Sequence, residues 1–223
     1  MEGPGGLKSV GNKTEGALML MGLDWGFPYE EVRNAKFVEG KDRIFAFNSA
    51  KKRSTAVLHM KDGSVRIYVK GASEWVIKDC TQFSEHSGKT SPMTSEKRAE
   101  LEKIIDDMAN KALRTLVLGH IDFPNKEALP SNWQDNPPDA ANLVCDCIVG
   151  IQDPLRGDVK DAVKTAQEAG VVVRMVTGDN IATASAIARS CGILTEGGIA
   201  VEGPVFRKYS PNDADKSIED YSS

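Results

Sequence analysis

At 223 residues, 40% hydrophobic and 27% charged, the chain is long enough for one large domain or two modest ones with cores of their own. A formal charge of -4 argues against a phosphate-backbone binder, which depends on clustered Lys and Arg, so nucleic acid is not an expected partner. The best apolar run, Leu143 to Ile151, falls short of the ~20 residues a bilayer requires and is interrupted by Asp146, so no membrane contact by this chain is expected.

Met1 to Gly6 carries no apolar run of signal-peptide type and reads as a loop, so export is not expected and the sequon Asn12-Lys13-Thr14 is idle. Cys80, Cys145, Cys147 and Cys191 are too unevenly spread for a disulfide framework and lack paired zinc spacing, which leaves reduced thiols. Cys145 and Cys147 share a strand face by periodicity and are read as core packing, not a metal pair.

In chain order, Arg43 to Ser49 is a candidate strand. Ser54 to Lys61 and Ser64 to Lys70 are β-rich runs joined by Asp62-Gly63, a hairpin dipeptide, with Val65, Ile67 and Val69 on one face. Leu101, Ile104, Ile105, Met108 and Ala112 form a helical stripe over this sheet, with Thr94 or Ser95 as the cap, and Leu113 to Ile121 is a fourth strand. Gly88-Lys89-Thr90 ends like a phosphate-binding loop, but Phe83 stands where the loop's first glycine belongs. Pro124 to Ala140 reads as an irregular excursion.

The patterning changes near residue 148. Leu143 to Ile151 reads as a buried strand, a helix follows with Val159, Ala162, Val163 and Ala166 inward and Gly170 as its cap, Val171 to Val176 reads as a second buried strand, and a further helix places Ile181, Ala184, Ala188 and Cys191 on one face. The expected organisation is therefore α/β (α+β): an antiparallel sheet flanked by helices over 1–147, a partial Rossmann-like βαβα unit over 148–195, and a mobile or truncated tail over 196–223.

Ligands of parallel sheets bind beyond the C-terminal strand ends, where Asp153-Pro154-Leu155-Arg156 and Thr177-Gly178-Asp179-Asn180 fall. Asp153 and Asp179 facing one crevice suit magnesium and phosphoryl chemistry; capping of the following helices explains them equally well. In the first part, Phe47, Lys51-Lys52-Arg53, Lys70 and Arg114 offer a stacking ring and cations for a nucleotide. By patterning alone, a core Phe47 and a solvated basic turn are the preferred reading.

Several motifs in order reverse that preference. Gly11-Asn12-Lys13-Thr14-Glu15-Gly16-Ala17-Leu18, Phe47-Asn48-Ser49-Ala50-Lys51-Lys52-Arg53-Ser54, Lys70-Gly71-Ala72-Ser73-Glu74 and Ala112-Leu113-Arg114-Thr115-Leu116, followed by Asp153-Pro154-Leu155-Arg156 and Met175-Val176-Thr177-Gly178-Asp179-Asn180, resemble the P-type ATPases from Gly11 to about Ile193. Gly150 to Pro154 and Arg174 to Asn180 look closest to plasma-membrane-type calcium pumps.

The resemblance implies that Glu15 accepts the adenine amino group, Phe47 stacks on the ring, Lys52 and Lys70 line the pocket with Gly71, and Arg114 meets the phosphates. Asp153, Arg156, Thr177, Gly178 and Asp179 would help close the phosphate and magnesium site. ATP and Mg2+ are the implied ligands. The implied partners are the remaining phosphorylation, actuator and membrane domains of a pump whose cytosolic part this is, in the plasma membrane or a vacuole-like organelle. The phosphorylated aspartate of the family's Asp-Lys-Thr-Gly-Thr motif and its Gly-Asp-Gly motif have no counterpart here, so the chain is expected to bind ATP without turning it over. Arg53 stands where a small residue is commoner, adding charge near the pocket. Two other readings remain: a self-standing magnesium-dependent phosphohydrolase using Asp153 or Asp179, and a non-catalytic interaction module.

Overall fold

The computed structural model describes residues 12–138, 141–153 and 155–208. They divide into two compact units, one made of the described residues up to 101 with 115–151 and the other of 102–114 with those from 152 onward.

The first unit is organised by a seven-stranded sheet in the order β1-β2-β3-β6-β7-β4-β5. β1 (Arg43–Asn48), β2 (Arg53–His59), β3 (Val65–Ala72) and β6 (Leu113–Phe123) pair antiparallel in that order. β4 (Cys80–Ser84) runs parallel to β7 (Leu143–Gln152) and antiparallel to β5 (Thr90–Pro92). The Asp62-Gly63 turn forms as the sequence predicts: Gly63 takes a φ of 89°, and the Asp62 carboxylate accepts from the amide and hydroxyl of Ser64. Alternation then buries Val65, Ile67 and Val69 of β3 with Val57 of β2, while Arg66, Tyr68 and Lys70 take the other face.

Helices enter where local chemistry starts them. α1 (Lys13–Asp24) is capped by Asn12, whose side chain accepts from the amides of Thr14 and Glu15. α2 (Tyr29–Lys36) buries no residue. α3 (Ser73–Asp79) follows β3 without a loop and buries Val76 and Ile77. α4 (Ser95–Asn110) is capped by Thr94, which accepts from Lys97 N. Its stripe differs from the expected one: Ile105 and Ala109 are buried, Ile104 is exposed, and Ala112 lies beyond the helix at a φ of 60°. The Gly88 segment is the turn of the β4–β5 hairpin, Ser84 pairing with Thr90.

The two cysteines expected to share a buried face separate, because the far half of β7 loses its cover: Cys145 is core and Cys147 is exposed. Pro124 to Pro138 is irregular, apart from one 3-10 turn at Lys126–Ala128.

In the second unit, α5 (Val159–Glu168) and α6 (Ile181–Cys191) form as read. Gly170 and Gly192 take φ of 78° and 82° at their C-terminal ends. α5 buries only Val163 of its expected stripe; α6 buries Thr183, Ala188 and Cys191. Val171 to Val176 is not a strand, and Val171, Val172 and Val176 are exposed. A β-rich segment forms a strand only when another strand satisfies its ladder, and no strand of the described residues pairs with it. The expected first strand of the βαβα unit, β7, is instead part of the seven-stranded sheet. α7 (Gly203–Phe206) is a single turn within the predicted tail. From residue 209 that tail, like Met1 to Gly11, lies outside the described residues.

Candidate functional site

The predicted adenine-site residues of the first unit converge on one end of its sheet. Asn48 pairs with Arg53 across β1 and β2, Arg53 with Gly71 across β2 and β3, and Ser54 with Lys70. Phe47, Lys52, Lys70 and Gly71 are therefore neighbours of a single cross-strand row, although as many as 24 residues separate them in sequence. The β1 register shifts between Phe45 and Asn48, and at this irregularity Phe47 is 57% exposed. A ring in that position offers a free face; the expectation of a core Phe47 from patterning alone is overturned.

Glu15, in the first turn of α1, reaches the same end of the sheet by an ion pair with the Lys70 ammonium. The Lys70 side chain is 23% exposed and that of Glu15 is 49% exposed, so the pair is open to solvent.

The loop from β1 to β2 is built by Asn48, whose side-chain oxygen accepts from the amides of Ala50 and Lys51 at 2.9 and 3.0 Å. It delivers Lys52 in a left-handed conformation, φ 53°. The Lys52 carbonyl accepts from Ala72 N at 3.0 Å. No ion pair engages the Lys52 ammonium among the described residues.

Gly71 is needed for a reason the sequence did not reveal. A Cβ there would lie 2.5 Å from the Lys52 carbonyl oxygen and 2.8 Å from both Arg53 Cβ and Val76 Cγ2. The space a side chain would take is filled by the Lys52 carbonyl together with the Arg53 and Val76 side chains. Arg53, read as extra charge beside the pocket, is committed elsewhere: its Nη1 lies 2.9 Å from Asp79 Oδ2.

Arg114, Asp153, Arg156, Thr177, Gly178 and Asp179 belong to the second unit. Arg114 grips Asp179 with two nitrogens, Nη2 at 2.8 Å and Nε at 3.0 Å from Oδ1. Thr177 Oγ1 accepts from Asp179 N at 3.1 Å and donates to Asp179 Oδ2 at 3.3 Å. Asp153 and Arg156 are exposed, and Pro154 between them lies outside the described residues. Nearby, Asn180 caps α6 through Thr183 N, and Thr183 Oγ1 donates to Leu113 O at 3.2 Å.

Comparison with known proteins decides the family: the sequence profile described as P-type ATPase, cytoplasmic domain N, matches residues 2–158. The chain belongs to that family. Over 211 residues the chain is 44% identical to calcium-transporting ATPase PAT1 of Dictyostelium discoideum, covering 95% of this chain and 18% of that protein. It is 42% identical over 216 residues to human plasma membrane calcium-transporting ATPase 1, with 95% and 18% covered. It is also 43% identical over 204 residues to the plasma membrane-type calcium-transporting ATPase 2 of Arabidopsis thaliana, with 89% and 19% covered. The chain thus spans under a fifth of the length of these relatives.

The N domain's residues suit the base end of a nucleotide: an exposed ring, an uncommitted ammonium and a Glu-Lys pair at one sheet end. The described residues of the chain do not suit a resident magnesium ion. Among the described residues no group of three metal-ligating side chains exists, and the Asp179 carboxylate already faces a guanidinium. No described helix is long and apolar enough to cross a membrane. A cavity of about 840 Å3 outside β1, lined by Tyr29, Arg33, Phe37, Ile44 and Phe45 among others, contains none of the predicted ligand residues.

Proposed function

We propose that this N domain binds ATP, with Glu15 accepting the adenine amino group, Phe47 stacking on the base, and Lys52 and Lys70 lining the pocket. The observation that carries this reading is the meeting of Glu15 with Lys70, 55 residues apart, beside an exposed Phe47, in a chain of this family. Gly71 supports the pocket from behind by letting Lys52 and Ala72 bond closely. Arg114 meets the phosphates, giving up part of its pairing with Asp179.

The whole protein, on this reading, is a calcium pump of the plasma membrane or of a vacuole-like organelle. It hydrolyses ATP through an aspartyl phosphate, and this chain is part of its cytosolic face. The N domain proper occupies 1–147, and 148–195 belongs to the phosphorylation domain. Asp153, Arg156, Thr177, Gly178 and Asp179 join the phosphate site when the remaining phosphorylation domain is present, and the actuator and membrane domains are its other partners. Mg2+ arrives with the nucleotide phosphates. The exposed Val171, Val172 and Val176 support this reading, since an apolar β-rich segment that pairs with no strand of the described residues needs a sheet to cover it.

The test is an amide-shift NMR titration of the chain with ATP, beside Phe47→Ala and Lys70→Ala. Saturable shifts at Glu15, Phe47 and Lys70 that weaken in both variants support the reading. A folded sample with no shifts at millimolar ATP rejects it.

A further inference from the structure

Asp79 occupies an unfavourable place. It is the last residue of α3, where the free carbonyls repel a carboxylate. Arg98 already serves those carbonyls, donating to Ile77 O and Cys80 O at 2.6 Å each. What Asp79 does touch is Arg53, the residue after Lys52.

The path between them explains the local geometry. Arg53 and Gly71 are directly paired, so their side chains leave the same face of the sheet, toward α3. With no Cβ on Gly71, the Arg53 stem crosses the strand and reaches Asp79 at 2.9 Å; Arg53 Cβ already stands 2.8 Å from where that Cβ would be. The same gap admits the Lys52 carbonyl, which bonds Ala72 N one residue before α3. Lys52 is thereby held on both sides: its carbonyl is fixed to the start of α3, and the next side chain to the end of α3. A non-glycine residue at φ 53° is held in a sparsely populated conformation, which persists where its surroundings over-determine it.

We infer that Asp79 and Arg53 are positioning residues for the nucleotide pocket: their ion pair, passing over Gly71, clamps the Lys52 loop onto α3 and fixes the left-handed turn that presents Lys52. The inference rests on the ATP-binding reading for its function but on this junction alone for its geometry. It assigns Arg53 a purpose that added pocket charge would not: the guanidinium is held by Asp79 and presets its neighbour.

The experiment uses the 223-residue chain with Asp79→Asn, Arg53→Ser, the double variant, and the exchange Arg53→Asp with Asp79→Arg. Three quantities are measured: ATP affinity by calorimetry, the intraresidue amide-to-Hα NOE of Lys52, which is strong only at positive φ, and the thermal midpoint. The expected result is a loss of about fivefold in affinity in either single variant, no further loss in the double variant, and partial recovery in the exchange, as a coupled pair requires. The Lys52 NOE should weaken in step while the midpoint moves little. Single variants with unchanged affinity and unchanged NOE overturn the clamp, as do losses that simply add. If the unmodified chain binds no ATP, the nucleotide role is overturned for pocket and clamp alike, and the NOE still shows whether the junction fixes Lys52.

Discussion

The Lys70 ammonium and the Glu15 carboxylate, from β3 and α1, neutralise each other at the sheet end where both are proposed to meet adenine. The two groups are in direct contact, so a base that meets them must exchange one hydrogen-bonded arrangement for another. Because Glu15 is the proposed acceptor of the 6-amino group, Glu15→Gln is expected to reduce the preference for ATP over inosine triphosphate by about tenfold, or about 1.4 kcal/mol. Calorimetric titration with both nucleotides checks this. Equal discrimination before and after the substitution would remove Glu15 from the base site.

Gly71→Ala is expected to destabilise the first unit by about 1–3 kcal/mol through overpacking. Its Cβ would meet the Lys52 carbonyl oxygen at 2.5 Å, a backbone atom already bonded to Ala72 N and unable to swing aside. Denaturant unfolding of the two proteins measures it directly. A neutral result would mean that β2 and β3 separate at this point more easily than their register implies.

The hairpin, its buried face and the capping glycines were legible because each depends on neighbours within a few residues: Asp62-Gly63 makes its own turn, and Val65, Ile67 and Val69 declare a face by alternation alone. What escaped depends on distant partners. α3 and β4 are short and of mixed composition, and only the packing of Val76, Ile77 and Cys80 into the core distinguishes them. The reverse error occurred at Val171 to Val176, where strand composition is unmistakable but a strand also needs a sheet. Site residues followed the same division. Phe47, Lys52 and Lys70 were proposed from motifs, whereas the packing around Gly71 and the engagement of Arg53 by Asp79 appear only once β2, β3 and α3 are brought together.

Arg98 ties α4 to the end of α3 by two short bonds to Ile77 O and Cys80 O. Removing it leaves both carbonyls beside a buried Cys80 without those donors. Arg98→Ala is therefore expected to cost about 1.5–3 kcal/mol, the range for bonds involving a charged group. Hydrogen exchange provides the sharper check: amides of α3 should lose protection before those of β2 and β3. Uniform loss across the unit would point to a general packing effect.

Asp42 supplies the pH dependence. Its residue is buried; burial pushes the carboxyl upward, but the amides of His59 and Val38, at 2.8 and 2.7 Å, together with the His59 ring at 3.0 Å, outweigh this and hold it below the ordinary carboxylate value. A carboxyl depressed in the folded state contributes stability that is present above its unfolded value, about 3.9, and is lost as pH falls through the lower folded value. Asp122, held down first by the paired Arg66 guanidinium, acts with the same sign but is more exposed, so salt screens it more. Asp42→Asn is expected to lower stability at pH 7 by about 1.5–3 kcal/mol, because two amides lose a charged acceptor. The same variant should flatten the acid limb below about pH 4, since the group that titrates there is gone. Urea midpoints of both proteins between pH 7 and pH 3 test this: the gap between them should be constant above pH 5 and shrink on acidification. A gap that widens toward acid would reverse the sign and show that the Asp42 carboxyl is not held down in the folded chain.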